Sequence, residues 1–83
     1  MTEKDMREIV ETVLRRVNCR ALSFKGYDQG GWRVVLWLSG DKATVDRSIS
    51  IDPEFRTSRE MIEKFLFSTI EAKRASWIAD VFS

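Results

Sequence analysis

The sequence predicts an α+β domain of two layers in the order α-β-β-β-α: a three-stranded antiparallel meander with both helices on one face. Three observations predict it. An aliphatic stripe at helical spacing opens the chain, and a second one follows Thr57-Ser58. Between them lie period-two apolar runs, punctuated by the turn residues Gly30, Gly31 and Gly40. The 83 residues suffice for one small domain. The 43% hydrophobic and 33% charged residues are the balance of a chain that folds rather than one that stays disordered.

The first helix is expected from Glu3 to Asn18. Met6, Ile9, Val10, Val13, Leu14 and Val17 recur three and four residues apart and so share one face. Thr2 suits the N-cap, Glu3 and Asp5 the positive end of the helix dipole, and Arg15 and Arg16 the negative end.

The first strand is expected from Arg20 to Tyr27, with Leu22 and Phe24 facing the core. Asp28-Gln29-Gly30 reads as a three-residue hairpin loop with Gly30 at positive φ. That loop pairs Tyr27 with Gly31, Lys25 with Arg33, Ser23 with Val35 and Ala21 with Trp37. In the second strand Trp32, Val34, Leu36 and Leu38 make the core face. Val35 and Trp37 fall on the opposite face, where a half-buried sheet should be polar. The third strand, Thr44 to Ile51, sets Val45, Ile49 and Ile51 against Asp46, Ser48 and Ser50. Arg47 interrupts its apolar series, its stem lying on apolar surface while the guanidinium reaches water. Pro53 ends the strand because it offers no ladder donor.

The second helix is expected to start at Thr57 or Ser58, with Thr57 and Glu60 as a capping box. Met61, Ile62, Phe65, Leu66, Thr69, Ile70 and Ala72 form its stripe; Lys73 interrupts it, and Trp77 and Val81 continue it at later turns. Ser58 to Ala72 already covers roughly 20 Å, the width of a small sheet. Residues 74–83 are therefore expected to overhang as a helical extension, carrying Trp77, Ile78, Val81 and Phe82 beyond the domain. Between the layers the expected core includes Val13, Leu14, Leu22, Phe24, Val34, Leu36, Ile49, Ile62, Phe65 and Leu66.

Catalytic chemistry has few candidates. The chain has no histidine, the usual general base and metal ligand, and one cysteine cannot build a thiolate zinc site. Cys19 reads as a small packed residue at the end of the first helix. Asp41, Asp46, Asp52 and Glu54 match no calcium loop and read as turn and edge residues. The expectation is a protein that is not an enzyme, with no cofactor and no metal. A lone cysteine, no apolar run of bilayer length and a polar N-terminus without a signal-peptide core predict a cytoplasmic protein away from membranes.

The order α-β-β-β-α resembles that of double-stranded RNA-binding domains over most of the chain. The resemblance is one of topology. That family carries a lysine-rich cluster where its second helix begins, whereas Thr57-Ser58-Arg59-Glu60-Met61-Ile62-Glu63-Lys64 is mixed in sign. The loop Asp28-Gln29-Gly30 is acidic where a phosphate contact needs a donor. No site residue carries over.

What remains is binding. The candidate interaction surface comprises Lys25, Arg33, Val35 and Trp37 on the open sheet face, and Trp77, Ile78 and Phe82 on the expected extension. The expected partner is a second copy, giving a homodimer, or another protein. The alternative is a nucleic-acid-binding module in which Trp37 stacks an unpaired base and Lys25 and Arg33 meet phosphates. Against it stands a net charge of +1, which supplies no long-range attraction for a polyanion.

Overall fold

A computed structural model describes residues 2–82. Helix α1 (Glu3–Val17) precedes strands β1 (Leu22–Asp28), β2 (Arg33–Ser39) and β3 (Thr44–Ser50), and helix α2 (Arg59–Val81) follows. The strands form one antiparallel sheet in the order β1-β2-β3. Both helices pack on one face of it, giving the α+β arrangement α-β-β-β-α.

Each helix end has a local cause. Thr2 Oγ1 accepts from the Asp5 N–H at 3.2 Å, and the Asp5 carboxylate accepts from the Thr2 N–H at 3.3 Å, a reciprocal capping box. Asn18 closes α1 in the left-handed region at φ 57°. Arg74 of α2 donates from Nη1 to the Val17 carbonyl at 2.8 Å, satisfying one of the acceptors a helix end leaves orphaned. The cap of α2 is Ser58, not Thr57: its hydroxyl accepts from the Met61 N–H at 3.2 Å. Met61 at the third position has no carboxylate to return the bond, so the expected box with Glu60 does not form.

The face assignment of the strands holds, with Leu22, Phe24, Val34, Leu36, Leu38 and Ile49 all buried. Pairing of β2 with β3 sets Trp37 opposite Asp46, Val35 opposite Ser48 and Arg33 opposite Ser50. Pairing of β1 with β2 differs from the expected one. Asp28 pairs with Arg33, Tyr27 with Val34 and Gly26 with Val35; past an irregularity, Phe24 pairs with Leu36 and Ser23 with Trp37. Lys25 is the extra residue of a bulge, which inserts one residue and bends the strand. The connection is longer than the expected loop, with Gln29, Gly30 and Gly31 all at positive φ (53°, 70° and 97°). Two glycines accommodate most of that otherwise costly path. Because β1 is displaced by two residues at Ser23 relative to the expected pairing, Leu22 and Phe24 still face the core; beyond the bulge the displacement is three, and Tyr27 turns to the core face opposite Val34.

Trp32 does not join the strand face expected of it. It ends the β1–β2 turn, half-buried, with the Arg56 guanidinium 5.0 Å from its ring centroid. Of the expected core, Leu14 and Phe65 are only partly buried, Phe65 lying against Phe55 at 5.0 Å. The others are buried, joined by Met6, Ile9, Ile51, Ile70 and more.

The C-terminal overhang is corrected. Helix α2 has 23 residues, about 34 Å of helix, and the domain is 39 Å long, so α2 lies along almost all of it. Val81 is 0% exposed and Trp77 8%. The last turns pack against the β2–β3 hairpin, where Lys42 N–H donates to the Val81 carbonyl at 2.9 Å. Arg47, from the core face of β3, reaches Asp80 at 2.8 Å.

Candidate functional site: the open face of the sheet

With both helices on one face, the other face of the meander carries three cross-strand rows. They are Ser23-Trp37-Asp46, Gly26-Val35-Ser48 and Asp28-Arg33-Ser50. Trp37 is 44% exposed, because its row neighbours are a serine and an aspartate too short to cover an indole. Trp37 and Phe82 are the exposed large hydrophobic residues among those described.

The charges on this face are matched in pairs. Lys25 Nζ lies 2.6 Å from Asp46 Oδ2, so a side chain from β1 reaches β3 across the middle strand. Arg33 holds Asp28 with both arms of its guanidinium, Nε to Oδ1 at 2.8 Å and Nη2 to Oδ2 at 2.5 Å. Such a fork fixes geometry as well as charge. The two pairs border a shallow depression of about 470 Å³ above Val35 and Ser48.

The structure thus brings Lys25, Arg33, Val35 and Trp37 together on one surface. It separates them from the C-terminal candidates, since α2 lies on the other face of the sheet. Trp77 is a core residue there, Ile78 packs partly against the core, and Phe82 is exposed just beyond the helix end. Trp37 is therefore not covered by the C-terminal segment. The partners missed from sequence are Asp28 and Asp46. A signal for them existed once Arg47, which lies in the core-facing series, is set aside: the strands then carry two bases, Lys25 and Arg33, and two acids, Asp28 and Asp46.

Among the described residues no three Cys, Asp or Glu side chains gather closely enough to hold a metal ion. No described helix is long and apolar enough to cross a membrane. The chemistry this face offers is an apolar anchor in a frame of fixed, mutually neutralised charges. No protein-family model, curated protein or solved structure matches the chain. The likeness to double-stranded RNA-binding domains rests on element order alone.

Proposed function

We propose that this protein is a non-enzymatic interaction module of the cytoplasm that self-associates through its open sheet face, Trp37 being the anchor. The observation that carries this reading is the exposed Trp37 in a face whose charges cancel. Tryptophan is a common energetic centre of protein contacts, with a large apolar area and few torsions to fix. A neutral face can meet its own copy about a two-fold axis without like charges opposing each other. A polyanion is a poorer fit, because phosphates would have to displace Asp46 from Lys25 and Asp28 from Arg33.

Sedimentation equilibrium of the intact chain and of Trp37→Glu tests this reading. A concentration-dependent dimer that the substitution converts to monomer supports it. A monodisperse monomer at high micromolar concentration overturns it. Oligonucleotide binding that falls steeply with salt, by a monomer, would favour the nucleic-acid alternative instead.

A further inference from the structure

A second surface lies on the flank of the domain, where α1 runs beside the outer edge of β1. A groove of about 470 Å³ opens between them. Leu14, Leu22 and Phe24 supply apolar surface to it, and Arg7, Arg15 and Arg20 supply charge. Glu11 is the groove's acidic side chain, 3.9 Å from Arg7. Three arginines against one glutamate leave the groove positive, unlike the neutral sheet face. Arg7 is held over the Phe24 ring, 4.9 Å from its centroid. Arg20 makes no ion pair with a described residue.

The edge of β1 is also open, and the ladder geometry says which groups it offers. Ser39 N–H donates to the Ala21 carbonyl at 2.9 Å. In antiparallel alternation the backbone groups of Ser23 then also turn towards β2, and those of Leu22 and Phe24 turn outward. The Leu22 N–H is taken by the Cys19 carbonyl at 3.3 Å. This leaves the Leu22 carbonyl and both backbone groups of Phe24 on the edge, beside the groove. The bulge at Lys25 ends the straight part of the edge immediately afterwards.

We propose that this groove binds an extended acidic peptide, which adds to β1 as a short fourth strand. Backbone pairing to Leu22 and Phe24 holds it, its alternate apolar side chains enter the groove, and its carboxylates meet Arg7, Arg15 and Arg20. A second copy of this chain is a worse occupant: its own β1 would bring another Arg20 and Lys25 against the first. The surface is thus distinct from the self-association face and selects a ligand of opposite character.

The test is fluorescence anisotropy with a labelled Glu-Val-Glu-Val-Glu-Val-Glu peptide, matched to the seven residues of β1. Saturable binding is expected, with slowed amide exchange at Phe24. The Arg15→Ala/Arg20→Ala double variant should bind about tenfold more weakly. A similar loss is expected for the Lys-for-Glu peptide and for one with its central valine-proline exchange, which keeps the charge but blocks pairing. Trp37→Glu should leave the affinity unchanged, which separates this site from the sheet face. No binding at about millimolar peptide overturns the proposal. So does equal affinity for the proline or lysine peptide, loss of binding on Trp37→Glu, or preference for an oligothymidylate of equal charge.

Discussion

The backbone N–H of Lys42 donates to the Val81 carbonyl at 2.9 Å, so the β2–β3 turn finishes helix α2. The two segments touch closely because Gly40 stands between them without a side chain. A Cβ at Gly40 would collide with the Val81 backbone and its Cγ2. Relief would have to come from main-chain movement, since backbone cannot rotate aside as a long side chain can. Gly40→Ala is expected to lower stability by roughly 1–3 kcal/mol, the usual range for overpacking. A urea midpoint equal to that of the parent would contradict this close approach.

The same docking makes the end of α2 part of the core. Trp77→Ala should cost about 3–5 kcal/mol, a large share of the stability of so small a domain. Removing residues 74–83 takes away Trp77 and Val81 together, along with the Arg74 contact to the Val17 carbonyl. The truncated chain should lose its cooperative thermal transition. Near-UV circular dichroism of parent strength from that truncated chain would show that the helix end is dispensable.

At the other end of the domain, the capping box makes folding sensitive to acid. The Thr2 backbone N–H, followed by the Thr2 side chain, holds the Asp5 carboxyl below the ordinary aspartate value. A carboxyl lowered in the folded state stabilises the fold above its unfolded value, and that contribution disappears as pH falls through the folded value. Thr2→Ala keeps the backbone donor, so Asp5 should move only part of the way back. An NMR titration of Asp5 in both chains reads this directly. A larger shift to the ordinary value in Thr2→Ala would assign the effect to the hydroxyl instead.

The elements and their faces were legible in the sequence because period 3.6 and period 2 are imposed by burial itself. Val34, Leu36 and Leu38 had to share a side. The β1–β2 register was less legible, since it turned on a bulge that leaves Leu22 and Phe24 on the core face but reverses the alternation beyond it, bringing Tyr27 opposite Val34. Gly26 inside the strand was its signal: an interior glycine weakens a strand and often marks a bulge. The overhang was misread because the width of a small sheet, roughly 20 Å, was taken as the length of the domain. The domain is 39 Å long, and the later turns of α2, at Trp77 and Val81, stay on its core. On the site, the position of Trp37 followed from alternation, whereas the neutrality of its surroundings depended on which acid each base would meet across strands. The arginine groove joins residues of α1 to an edge strand, a juxtaposition that exists only once the helix is docked.

The three tryptophans give a direct reading of the proposed interface, because each occupies a different environment. Trp37 is 44% exposed on the sheet face, Trp32 is half-buried beneath Arg56, and Trp77 is 8% exposed in the core. In single-tryptophan variants at low concentration, iodide should quench Trp37 most and Trp77 least. The Trp77 variant needs phenylalanine at positions 32 and 37, substitutions that spare the core. Raising the protein concentration should then protect Trp37 alone, since an isologous contact through the sheet face covers that indole and leaves the turn and the core as they were. Protection of Trp32 in parallel would move the interface to the β1–β2 turn. Quenching of Trp37 that stays constant across the concentration range would remove the sheet face as a site of self-association.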